Sequence, residues 1–110
     1  VRILFDNGVP RPVASALQAH VVEEARARGW DSLANGELLT AAEAAGFEVM
    51  VTTDRNLAYQ QNLSGRRIAL VVLTTPAWPS IRPRLSAIAS AVDAATPGTY
   101  VEVDVPILRR

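Results

Sequence analysis

Three carboxylates in this chain stand where chemistry can use them. The apolar run Arg2-Ile3-Leu4-Phe5 breaks off into Asp6-Asn7-Gly8-Val9-Pro10, and the run from Phe47 to Thr53 breaks off into Asp54. Glu37 lies between them, at the start of the stretch Asn35-Gly36-Glu37-Leu38-Leu39. An acid that closes a buried strand is delivered to the rim on which open α/β sheets bind their ligands. If the two strands are neighbours, Asp6 and Asp54 project about 5 Å apart at the backbone, and a helix beginning near Glu37 opens on the same rim. Crowded carboxylates repel one another unless a cation joins them. A hard divalent ion, Mg²⁺ or Mn²⁺, suits an all-oxygen site and activates water against a phosphodiester.

Each acid also has a plainer use. Asp54 can cap a helix that follows it, Glu37 favours a helix amino end through the dipole, and Asp6-Asn7-Gly8 fits an Asx turn. Three acids on one rim favour a site more than any one of them does.

The elements that must position these residues follow from the apolar pattern. Strands are expected at 2–5, 20–23, 47–53, 68–73 and 100–105, with helices at 10–19, 36–45, 55–63 and 84–95. Asn35 reads as the N-cap of the second helix and Gly46 as its C-terminal stop. Ile68-Ala69-Leu70-Val71-Val72-Leu73 is apolar throughout and must be interior, whereas Tyr100 to Val105 alternates as an edge strand does. Trp78 and three prolines make 74–83 a loop entering a helix. The order β-α-β-α-β-α-β-α-β, joined by right-handed crossovers, gives an α/β fold: a three-layer α/β/α sandwich with a mostly parallel central sheet. One domain spans 1–110, with its core in 2–95 and the edge strand and tail in 99–110.

Composition narrows the chemistry. Formal charge is zero, so no global field draws in nucleic acid, and all eleven basic residues are arginine. Lysine Schiff bases and a phosphate-loop lysine are thereby excluded, and no GxGxxG appears. The lack of cysteine removes thiolate chemistry and disulfides and fits a cytoplasmic setting. No membrane span or signal peptide is expected.

Asp6-Asn7-Gly8-Val9-Pro10, Asn35-Gly36-Glu37-Leu38-Leu39 and Val51-Thr52-Thr53-Asp54-Arg55-Asn56-Leu57 resemble, in order and spacing, the three signatures of the PIN-like proteins. They are most similar to a small prokaryotic branch of predicted toxin-type ribonucleases, over about residues 2–73. The resemblance implies a PIN-like fold, Mg²⁺ or Mn²⁺ held by Asp6, Glu37 and Asp54, and endoribonuclease activity. It also implies a toxin-like role beside a small antitoxin. The chain departs from the pattern at Gly8, where the branch tends to carry an amide, at Asn35, where Asp is common, and at Asn56, where another acid is frequent.

Asn7 and Asn56 are accessory candidates for coordination or phosphate binding, and Arg11 and Arg55 for positioning the RNA backbone. Thr52 and Thr53 read as ordinary strand-end residues and His20 as structural. Arg82 and Arg84 follow a strand end, and Arg66-Arg67 belongs to the opposite rim. Tyr59, Gln60, Gln61 and Asn62 form an amide-rich segment. A homodimer is a further expectation for a small domain with an edge strand. The alternative to the nuclease is a catalytically weak PIN-like module that binds protein or RNA. A receiver-like phosphoacceptor fits poorly, since it needs paired acids at the first rim and a lysine.

Overall fold

The computed structural model describes residues 1–60 and 62–107, without the side chains of 58–60. Tyr59, Gln60 and Gln61 of the amide-rich segment and the end of the tail at 108–110 therefore lie outside the described side chains.

Five strands, β1 (Arg2–Phe5), β2 (Val21–Glu24), β3 (Val49–Thr52), β4 (Ala69–Leu73) and β5 (Tyr100–Val103), form one sheet in the order β2-β1-β3-β4-β5. All four pairings are parallel. Burial follows position in the sheet. Every residue of β3 and β4 is buried, while β2 and most of β5 are partly or fully exposed at the two edges. The consecutive apolar runs are therefore the strands that need cover on both faces.

The helices supply that cover in two layers. Helix α1 (Asn35–Ala44) and helix α2 (Arg55–Gln60) lie on one face. There Leu38, Leu39, Ala42 and Leu57 share a core with Leu4, Met50, Leu70 and Val72. On the other face lie a 3₁₀ segment (Arg11–Ala16), the short helix α3 (Trp78–Ile81) and helix α4 (Leu85–Ala94). Val13, Leu17, Ile81, Ile88 and Val92 pack there with Ile3, Phe5, Val51 and Val71. Trp30 and Trp78 are each half-buried against one of these cores, so both anchor their segments.

The first connection is a 3₁₀ segment rather than the ten-residue helix expected. Pro12 has no N–H to donate, and the observed bonds, Val13 N to Pro10 O and Leu17 N to Ala14 O, span three residues. That short segment leaves much of its sheet face uncovered, and α4 covers the remainder. A topological consequence follows. The step from β4 to β5 runs along the sheet in the same direction as those from β2 to β3 and from β3 to β4, yet it crosses the opposite face. The last crossover therefore has the opposite hand to the two before it, a departure from uniformly right-handed connections. The segment at 74–84, long enough to pass over the rim, allows it.

Helix α1 is fixed at its carboxyl end. Gly46, at φ 88°, takes the left-handed conformation that ends it. Glu43 pairs with Arg66 and accepts the Arg67 backbone N–H at 2.8 Å, tying the helix to the segment that enters β4. Burial pushes the Glu43 carboxyl up. The Arg67 N–H, the Arg66 hydrogen bond and both guanidinium charges outweigh that and hold it below the usual range. A carboxylate depressed in the folded state contributes stability in full above its unfolded value of about 4.3, and loses it as pH falls through the folded value. Glu43→Gln is expected to cost about 1 kcal/mol at neutral pH. In urea melts run against pH, the gap from wild type should close below about pH 4.

Candidate functional site at the carboxyl rim

The loop after β1 and the end of β3 meet on the α1/α2 face. Phe5 pairs in register with Val51, and the ladder continues one step as the Asp6 N–H donates to Val51 O at 2.9 Å. Asp6 thus lies beside Thr52, and in a parallel pair such neighbours project to the same side. The Thr52 hydroxyl donates to Asp6 Oδ2 at 2.8 Å and accepts the Asp54 backbone N–H at 3.0 Å. One fully buried hydroxyl therefore joins the two acids.

Each acid is further oriented. Asp6 Oδ1 accepts the Asn7 backbone N–H at 2.8 Å, and Val9 N–H closes the turn onto Asp6 O at 3.1 Å. Asp54 Oδ1 accepts the Asn56 N–H at 3.0 Å, capping α2, while Asp54 Oδ2 accepts from Asn35 Nδ2 at 3.3 Å. The cap expected of Asp54 is present, whereas Asp6 makes no described Asx turn, its Oδ1 taking the N–H of the next residue. An ionised carboxylate offers about four lone-pair positions, and each of these two accepts two described hydrogen bonds. Both are half-buried, and the remaining lone pairs suit a hard cation.

Glu37 is not drawn into this pair. It is exposed in the first turn of α1, and it follows Asn35, which faces Asp54, by two positions, about 200° around the helix. It lines an open concave face with Leu33, Thr40, Ala41 and Arg66 instead. Among the described residues, no group of three or more His, Cys, Asp or Glu is set to hold a metal ion. The described hydrogen bonds link two of the three expected acids, Asp6 and Asp54, with the Asn35 amide beside Asp54. Asn35 is not the N-cap expected: Ala34 holds that position, and Asn35 begins the helix with its side chain turned to the rim.

The other expected residues are placed as follows. Asn7 is exposed and donates through Nδ2 to Asp31 O at 3.2 Å, and Asn56 is exposed at the start of α2. Arg11 pairs with Glu24 at 3.1 Å and Arg55 with Glu102 at 3.3 Å. Thr52 is the residue whose role the sequence concealed. A threonine at a strand end is commonplace, and only the register of β1 against β3 reveals what its hydroxyl joins.

Gly8 is favoured by close packing rather than by φ, since a larger residue there obliges the Thr53 side chain to move. A Cβ there would overlap the Oγ1 of Thr53, so the loop after β1 presses directly on the end of β3. Gly8→Ala is expected to destabilise the protein by about 1–3 kcal/mol, read as a lowered urea midpoint with an unchanged slope.

His20 lies at the opposite rim, where its ring meets Asp93 at 2.8 Å. No described helix is long and apolar enough to cross a membrane. Comparison with family models, with curated proteins and with solved structures returns no match.

Proposed function

We propose that the protein is a metal-dependent endoribonuclease that hydrolyses RNA phosphodiesters at the Asp6–Asp54 rim. The reading is carried by one observation: two half-buried aspartates at the ends of adjacent parallel strands, with the Thr52 hydroxyl bridging the Asp6 carboxylate to the Asp54 backbone N–H. The Thr52–Asp54 half is a local contact two residues apart, whereas the Thr52–Asp6 bond crosses from β3 to β1 and is not called for by the cap of α2 or by the turn after Asp6. In this reading Asp6 and Asp54 hold Mg²⁺ or Mn²⁺, which supplies Lewis acidity at the phosphoryl oxygen and a more acidic water. Thr52 and Asn35 fix the two carboxylates, so that ligand geometry is set before the ion arrives. Asn7 and Asn56 present amides at the rim, suited to phosphate oxygens. Glu37 stands outside the ligand set, and Glu37→Gln should change Mn²⁺ affinity by less than about threefold, below the usual effect of losing even an outer-shell partner.

The resemblance in the three motifs extends the proposal to a toxin-like component held by a small antitoxin. Growth arrest on expression, relieved by the product of an adjacent gene, tests that extension. A second reading, a catalytically weak PIN-like module that binds RNA or protein, is favoured by the amide of Asn35 beside Asp54 and by the outward turn of Glu37. Incubating the purified protein with mixed RNAs, with Mn²⁺ and in divalent-free buffer, separates the two. Metal-dependent cleavage supports the nuclease; RNA retention without cleavage supports the module.

A further inference from the structure

We propose that Arg82-Pro83-Arg84, a 3₁₀ segment between α3 and α4, is the phosphate-binding edge of the RNA site, and that Arg11 and Arg55 are not. The inference rests on the ribonuclease reading and names the residues that would hold its substrate.

Charge availability is the first ground. Arg11 and Arg55 lie beside the acids in sequence, but each already neutralises a carboxylate, Glu24 and Glu102 respectively. A phosphate taking either guanidinium would leave that carboxylate unpaired next to an anion. Arg82 and Arg84 are exposed, and neither has an ion-pair or hydrogen-bond partner among the described residues. Without lysine in the chain, arginine alone can make such contacts, and its planar fork suits phosphate oxygens.

Position is the second ground. The chain leaves the carboxyl end of β4 at Leu73, passes through α3 and reaches Arg82–Arg84 immediately before α4. Helix α4 then runs back to the amino rim, where Asp93 near its end meets His20 just before β2. The segment therefore lies at the start of that return, on the rim that carries Asp6 and Asp54.

Support and cost are the third. Ile81 and Ile88, both fully buried, anchor the segment from either side, and Pro83 restricts its backbone. A preorganised pair loses less freedom on binding than two mobile side chains would. Neither arginine serves α4, because a cation at a helix amino end opposes the dipole. Four acids near this rim, Asp6, Glu24, Asp54 and Glu102, would repel a polyanion without a positive edge.

The test is fluorescence anisotropy of a labelled single-stranded RNA in divalent-free buffer over a salt series, with melting temperatures confirming that each variant is folded. Arg82→Gln/Arg84→Gln should weaken binding by about tenfold or more at low salt and reduce the slope of log K against log salt by about 1.4, the loss of two phosphate contacts on a single strand. Arg82→Lys/Arg84→Lys should keep most of the slope. Arg11→Gln/Arg55→Gln should shift affinity less than about threefold, with the slope retained. If the first variant keeps the wild-type slope, or the Arg11/Arg55 variant loses it, the inference is overturned and the ribonuclease reading stands. If the wild type binds no RNA even at low salt, both fall.

Discussion

Asp6→Asn is expected to lower metal-dependent RNA cleavage by about 10²- to 10³-fold, because it removes about 3–4 kcal/mol of stabilisation at the reacting phosphate. The substitution isolates charge from shape. The Asn carbonyl oxygen can still accept from the Asn7 N–H or from Thr52, which now serve the two oxygens of Asp6. Folding should therefore change little while the ion loses a charged ligand, and equal melting temperatures would show it. Thr52→Val probes the same site indirectly. It removes the hydroxyl between Asp6 and the Asp54 N–H, so the carboxylates keep their charge and lose their alignment. A fall of about 10–100-fold in metal affinity is expected, with about 1 kcal/mol of stability lost. Cleavage unaltered by Asp6→Asn would trace the activity to a contaminant or to another site.

Phe5→Ala should have the largest effect on stability, about 3–5 kcal/mol in urea unfolding. Phe5 is 1% exposed and ends β1, the strand that delivers Asp6. Its ring belongs to the core under α4, with Val51 of β3 and Val71 of β4. Truncation opens a cavity below three adjacent strands that cannot close without breaking register. Domains of this kind have about 5–15 kcal/mol in total, so the variant is expected near the edge of folding at physiological temperature. A loss below about 1.5 kcal/mol would show that this core can collapse around the gap.

The strands were legible because burial dictates their composition. Ile68 to Leu73 has no polar residue, and β4 is buried at every position. Tyr100 to Val105 alternates, and β5 is at the edge, with Val103 and Val105 inward and Tyr100 outward. The positions of Asp6 and Asp54 followed from where those runs stop. What stayed hidden depends on contacts between distant segments. Thr52 became a site residue only through its register with the end of β1. Asn35 reads locally as a cap, but the preceding residue takes that position and frees the amide to face Asp54. Gly8 reads as a turn residue, and its cause is a side chain on another strand.

The helices were legible in existence more than in placement. Nothing in the spacing of Leu85, Ile88 and Val92 says which face of the sheet α4 covers. That choice depends on how much surface the 3₁₀ segment at Arg11–Ala16 leaves open. Arginine partners were equally invisible, since Glu24 and Glu102 reach Arg11 and Arg55 from the two edge strands. Glu37 shows the same limit from the other side. Its place in the first turn of α1 was readable, but its direction was set by which neighbours in that turn went into the core.

The central claim is that Asp6 and Asp54 together hold one divalent ion. Titration calorimetry with Mn²⁺ tests it most directly, using the wild type, Asp6→Asn, Asp54→Asn and Glu37→Gln. The account predicts saturable uptake of a single ion by the wild type and Glu37→Gln at or below millimolar Mn²⁺, and none by either Asp variant. The absence of uptake by the wild type at millimolar Mn²⁺, or equal uptake by Asp6→Asn, would contradict it.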